Sequence, residues 1–203
     1  MKRYFDPDYL AALDADAIER YHSRAGLKPE FRLQTQLGPH PYEGDVDTAR
    51  IVVLMNNPGF DASSTLDDHR FFRDGRPFAS LHPDAPAGMR SYSVPRFRDL
   101  ITEFGAQHVS QRLALLQIHP WASAALDEPR RLALPSMRFA VEHAKRAMER
   151  GALVLIGRGG WYWLPALGLQ KGALFEHGAP RSAYWNRQSL PAEVFEAMRR
   201  AML

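Results

Sequence analysis

Apolar side chains recur at helical spacing through Tyr9, Leu10, Leu13, Ala17, Ile18 and Tyr21 and stop at Gly26, which predicts an amphipathic helix closed by glycine. Residues 37–47 are broken by Gly38, Pro39, Pro41 and Gly44 and read as a loop. Ile51-Val52-Val53-Leu54-Met55 is an unbroken apolar run, as expected of a strand covered on both faces. It ends in the turn sequence Asn56-Asn57-Pro58-Gly59. Residues 61–93 are polar and punctuated by Asp67, Asp68, Asp74, Gly75, Pro77, Pro83, Pro86 and Gly88, so a long irregular stretch is expected there. Phe97, Leu100, Ile101 and Phe104 mark a helix that ends at Gly105, and residues 113–118 form a second buried strand running into His119-Pro120-Trp121. Met137, Ala140, Val141, Ala144 and Met148 share one face of a helix over residues 135–150, capped by Gly151. Residues 152–156 are a third buried strand, followed by Gly157-Arg158-Gly159-Gly160. Residues 173–176 are a short fourth, followed by His177-Gly178-Ala179-Pro180, and Val194, Met198 and Met202 stripe a last helix opened by Pro191.

Short apolar strands alternating with helices predict an α/β fold, a three-layer αβα sandwich around a mostly parallel four-stranded sheet. A length of 203 residues suits a single domain, with residues 1–37 as a helical lead-in. Ligands of such sheets gather outside the carboxyl ends of the strands. That rule selects residues 56–60, 119–123, 157–161 and 177–182 as the candidate site.

Composition narrows the chemistry. The chain has no cysteine, which removes disulfides, thiolate metal sites and cysteine nucleophiles. No apolar run approaches the ~18 residues of a membrane span, and the first ten residues hold no apolar signal core, so a cytoplasmic location is expected. Residues 1–128 carry 14 basic and 18 acidic side chains, and residues 129–203 carry 12 and 5. The basic character therefore sits in the last third. Arginine outnumbers lysine 22 to 4, which suits bidentate phosphate contacts and is equally what a G+C-rich coding sequence supplies.

Pro58 fixes its own φ and drives Asn57 toward extended geometry. The Asn57 amide takes no proton near neutral pH, but its carbonyl oxygen can orient a water; the plainer role is a turn asparagine. A neutral His177 can donate a hydrogen bond to charge developing on a leaving group, or it can simply be tied at a strand end. His82, His119 and His143 lack metal-ligand spacing, and no cofactor is expected. Gly157-Arg158-Gly159-Gly160 could receive a phosphate at a helix N-terminus, or serve only to turn the chain. Trp121, Trp161, Tyr162, Trp163, Tyr184 and Trp185 lie among Arg158, Arg181 and Arg187, the rings and cations that nucleic acid uses. Core packing is the alternative for Trp161 and Trp163.

Two of these motifs resemble the uracil-DNA glycosylase superfamily. Its first motif reads G-Q-D-P-Y, G-I-N-P-G or G-M-N-P-G in different branches, against Met55-Asn56-Asn57-Pro58-Gly59 here. Its last reads H-P-S-P-L-S or H-P-S-P-R-N, against His177-Gly178-Ala179-Pro180-Arg181-Ser182. The lead-in through Pro41-Tyr42-Glu43-Gly44-Asp45 is also similar, and an uncharacterised bacterial branch resembles the region after Asn57. The resemblance implies a uracil-DNA glycosylase-like fold and hydrolysis of the base–deoxyribose bond of a nucleotide flipped out of the helix. It matches Asn57 to the water-positioning residue and His177 to the residue that stabilises the departing base. Phe71 or Phe72 would stack on that base, and Gln117 would read its edge beside Met55. Arg181 would fill the gap left by the flipped nucleotide. Pro58, Pro180 and Ser182 would approach the backbone, with Arg158 and Arg187 adding charge.

The resemblance implies no metal or organic cofactor. The expected partner is DNA, single- or double-stranded, bound by a monomer that meets no membrane. Met55 replaces the family's glycine, and Gln117 replaces an asparagine common among members, so the expected substrate is a modified or deaminated, uracil-like base of unspecified identity. Two other functions stay open: an inactive nucleic-acid or nucleotide-binding module on the same fold, and a small-molecule hydrolase or transferase with His177 or His119 as general base.

Overall fold

The structure, a computed structural model, describes residues 6–60, 71, 77–126, 132–179 and 183–203. Its strands are β1 (Tyr42–Glu43), β2 (Ile51–Met55), β3 (Leu113–Gln117) and β4 (Leu153–Ile156). Its α-helices among the described residues are α1 (Pro7–His22), α2 (Ala87–Arg96), α3 (Arg98–Phe104), α4 (Ala106–Arg112), α5 (Met137–Glu149), α6 (Gly160–Leu167) and α7 (Ala192–Met202). The strands form one sheet in the order β1-β3-β2-β4. β2 runs parallel to β3 and β4, and β1 runs antiparallel to β3.

Side chains alternate across a strand, and here both sides are covered. Val52, Leu54, Ala114, Leu116 and Ile156 pack with Leu10 and Ile18 of α1, Ala140 and Ala144 of α5, and Trp163 of α6. Ile51, Val53, Leu113, Leu115 and Leu155 pack with Leu100 of α3, Val109 of α4, and Phe195 and Met198 of α7. That double cover is why β2 and β3 are buried at every residue and read as continuous apolar runs.

The first face is also locked by a polar contact. Asp14 of α1, fully buried, accepts hydrogen bonds from Trp121 Nε1 at 2.9 Å, Ser136 N–H at 2.9 Å and Ser136 Oγ at 2.6 Å. One carboxylate thereby ties the first helix to the loop after β3 and to the start of α5.

α1, α3, α5 and α7 lie where the periodicity puts them. The sheet, however, is mixed rather than mostly parallel, because residues 37–47 are not all loop. The Pro41 carbonyl accepts Gln117 N–H at 2.8 Å, and β1 follows. Gly44 then turns the chain away at φ +84°, where a Cβ would lie 2.3 Å from the Leu113 carbonyl oxygen. Only glycine allows this approach.

The strand expected at residues 173–176 is reduced to one parallel bridge, Ile156 to Glu176, because the Ala173 N–H is used in a turn onto the Gln170 carbonyl. The stretch expected to be irregular holds α2 in its described part. Ser93 is the one buried residue of α2, and Val109 the one of α4, so neither helix carries an apolar stripe. α6 buries Gly160, Trp163, Leu164 and Leu167, but its sequence is apolar on nearly every side, so the stripe does not stand out. Among the described residues no helix is long and apolar enough to cross a membrane.

Candidate functional site

Beyond the sheet, the chains leaving β2 and β3 stay paired. Ile118 N–H donates to the Met55 carbonyl at 3.0 Å, His119 N–H to Asn56 at 3.2 Å and Ser123 N–H to Pro58 at 3.3 Å. Gly59 and Ser123 form a parallel bridge. The segment from Met55 to Gly59 is thus held as a continuation of the sheet edge rather than as a free turn.

Asn57 sits half-buried in that segment. Its Nδ2 donates to Ser123 Oγ at 2.8 Å, to the Pro58 carbonyl at 3.0 Å and, at the long limit, to the Trp121 carbonyl at 3.4 Å. These acceptors decide which end of the amide is nitrogen. They leave Oδ1 as the group without a partner among the described residues. The side chain is held by its nitrogen, with its oxygen left as an acceptor.

Gln117 ends β3 in register with Met55. It is 8 % exposed, and its Oε1 is buried with no hydrogen-bond partner among the described residues. Leaving a buried acceptor unpaired costs roughly 1–3 kcal/mol, which a donor on a ligand would recover. Met55 leans toward the end of β4. A Cβ on Gly157 would lie 2.7 Å from Met55 Sδ and 3.1 Å from the Trp185 ring, so methionine, glycine and tryptophan close one wall together.

His177 follows the bridge to β4, donating its own N–H to the Ile156 carbonyl at 2.8 Å. Its Nδ1 accepts Ala179 N–H at 3.0 Å. In the neutral ring the proton is therefore on Nε2, which faces the Tyr184 carbonyl at 3.0 Å. The ring stands edge-on to Trp185, centroids 5.1 Å apart. Both nitrogens are engaged by the chain's own backbone.

The other expected residues divide. Phe71 is half-buried and edge-on to His82, with 6.0 Å between centroids. Arg158 is half-buried just past β4, its N–H on the Leu54 carbonyl at 3.1 Å. Phe72, Pro180, Arg181 and Ser182 lie outside the described residues.

Two residues expected at a nucleic-acid surface have partners within the chain. Pro58 is buried, and its carbonyl serves the loop pairing. Arg187 pairs with Glu103 at 2.8 Å and lies over the Phe195 ring at 4.9 Å, so its charge is already answered. The phosphate cradle expected at residues 157–160 is also occupied. A Cβ on Gly160 would lie 1.8 Å from Glu176 Oε2, which places a carboxylate of the chain itself against the start of α6.

Among the tryptophans, Trp121, Trp163 and Trp185 are buried, whereas Trp161 is 51 % exposed. Trp163 Nε1 donates to the Met55 carbonyl at 3.2 Å. Trp185 buries where its polar surroundings in sequence suggest a ligand contact. His119 is 1 % exposed, with Nδ1 accepting Trp121 N–H at 3.3 Å. Burial pulls its pKa down to about 3, so it is uncharged and a feeble base. Among the described residues, neither His119 nor His177 hydrogen-bonds a hydroxyl, which removes support for a histidine-activated nucleophile. No group of three His, Cys, Asp or Glu side chains there could hold a metal ion.

Sequence reasoning missed Ser123 as an individual residue, although it lies in a selected post-strand segment. Its hydroxyl links Asn57 to the Ala125 carbonyl at 2.9 Å. No family model, no curated protein and no solved structure matches the chain.

Proposed function

We propose that the protein hydrolyses the N-glycosidic bond of a modified or deaminated nucleobase, as the resemblance to the uracil-DNA glycosylase superfamily implies. The observation that carries this reading is the Asn57 amide, whose nitrogen is pinned while its oxygen is free. An amide so held orients a water without taking its proton. The water oxygen bonds to the anomeric carbon, the base departs as an anion with the electrons of the broken bond, and the proton shed by the water goes to the departed base through solvent. Gln117, with its unpaired buried oxygen, supplies an edge against which a base N–H can pair. In this reading His177 exchanges its bond to the Tyr184 carbonyl for one to the departing base.

A second reading has a specific observation in its favour. Both ring nitrogens of His177 are engaged, as they would be in a module that binds a base without releasing it.

Base release from oligonucleotides carrying uracil, hypoxanthine or xanthine separates the two. The first reading expects release that falls by about 100-fold or more in Asn57→Ala, with an unchanged unfolding transition, and that also falls in His177→Ala. Binding of these oligonucleotides with no release from any of them leaves the binding module. Release that survives Asn57→Ala removes the assignment of the water-holding residue.

A further inference from the structure

Arg96, at the end of α2, is a half-buried cation with no carboxylate partner among the described residues. Its guanidinium lies 3.5 Å from the centroid of the Tyr92 ring and 5.3 Å from that of Tyr184. Its Nη1 donates to the Tyr92 carbonyl, and its Nε is buried with no hydrogen-bond partner among the described residues. Tyr92 and Arg96 are one helical turn apart, so the stack is built into the helix.

A guanidinium so placed has lost part of its water and gained no counter-charge, an unfavourable state unless an anion arrives. Its outer ring is open, since Tyr92 is 39 % exposed. No acidic residue occurs between Asp84 and Asp99, a span that also carries Arg90; Arg98 pairs with Asp99 at 3.3 Å. Arg90 donates to a backbone carbonyl, that of Pro83, and pairs with no carboxylate among the described residues.

The same cluster is tied by backbone hydrogen bonds to the segment that holds His177. The Arg96 carbonyl accepts Trp185 N–H at 2.7 Å, and the Tyr184 carbonyl faces His177 Nε2 at 3.0 Å.

We propose that Arg96, Tyr92 and Tyr184 form a docking surface for single-stranded DNA next to His177. Arg96 takes a phosphodiester, and the exposed face of Tyr92 stacks the neighbouring unpaired base. The choice of DNA rests on the nucleobase reading above. The need for a single strand rests on the tyrosines, because only unpaired bases offer a face to stack.

The test is fluorescence anisotropy of a labelled twelve-residue oligothymidylate, titrated with the full chain at several sodium chloride concentrations. The proteins compared are wild type, Arg96→Gln, Arg96→Lys, Tyr92→Ala and Arg20→Gln, an exposed cation on α1. Expected are salt-sensitive wild-type binding, a loss of about tenfold in Arg96→Gln, a smaller loss in Arg96→Lys, which keeps charge but not the planar stack, and a loss of severalfold in Tyr92→Ala. Arg20→Gln should bind as wild type does. The slope of log affinity against log salt should flatten by about 0.7 in Arg96→Gln, the loss of one single-strand phosphate contact. A stack that merely stabilises α2 would lower the unfolding midpoint and leave that slope alone.

Wild type that fails to bind the oligonucleotide, or Arg96→Gln and Tyr92→Ala that bind as tightly as wild type, overturns the surface. Base release from a free deoxynucleoside monophosphate reports on the pocket separately. A protein that binds the strand but releases nothing sinks the hydrolase reading and supports this surface.

Discussion

Glu43 of β1 is 8 % exposed, and Ser80 N–H reaches its Oε1 at 2.6 Å. Burial pushes its carboxyl up to about 7 from an ordinary 4.5, and the hydrogen bonds from Ser80 only partly oppose the shift. The folded state therefore favours the protonated form more than the unfolded chain does. The stabilisation is complete below pH 4.5 and is lost as pH rises through about 7, a change of about 3 kcal/mol over that window. Denaturant unfolding at pH 5 and pH 8 should show wild type losing that much more stability than Glu43→Gln; equal losses in the two proteins would contradict it. Residue-scale chemistry also separates the two expected catalytic groups. Asn57 and His177 are both visible in the sequence as motif residues, yet only the partners found for each show that one has a free atom and the other has none.

The helices differ in how they are held. α5 and α7 bury regular stripes, Met137, Ala140 and Ala144 in one and Phe195, Met198 and Met202 in the other, which is why the spacing of apolar residues finds them. α2 and α4 bury one residue each, and α6 buries Gly160, Trp163, Leu164 and Leu167, a stripe hidden in the sequence by the apolar residues on its other sides. α1 combines a modest apolar face with the buried Asp14. Asp14→Ala would strand the Trp121 Nε1 donor and both Ser136 donors. The expected loss is about 2–4 kcal/mol by chemical denaturation, since buried donors left unpaired carry their full desolvation penalty. A loss under about 0.5 kcal/mol, the ordinary range of a surface substitution, would show that α1 is held by its apolar contacts alone.

For the molecule as a whole, net charge is a poor guide to where an anion binds. The last third carries the basic excess, but Arg187 there pairs with Glu103, and Arg199 bridges Glu103 and Glu196. Arg187→Ala should therefore leave oligonucleotide affinity within about twofold of wild type, the scale of a screened surface charge already paired. A tenfold loss in the anisotropy titration would reinstate it as a strand contact. The unanswered guanidinium lies instead on α2, in the acidic portion of the sequence.

The sequence by itself determined the α/β class, the three long strands and the four helices with clear stripes, because burial on two faces or on one stripe leaves a periodic signature. It also selected the segments after the strand ends as the candidate site, by the general rule for such sheets. Tertiary structure alone decided the antiparallel edge strand, the filling of the glycine cradle by Glu176, the pairing of Arg187 and the exposure of the Arg96 stack. Each of these depends on which distant segment arrives as partner, and no local pattern records that.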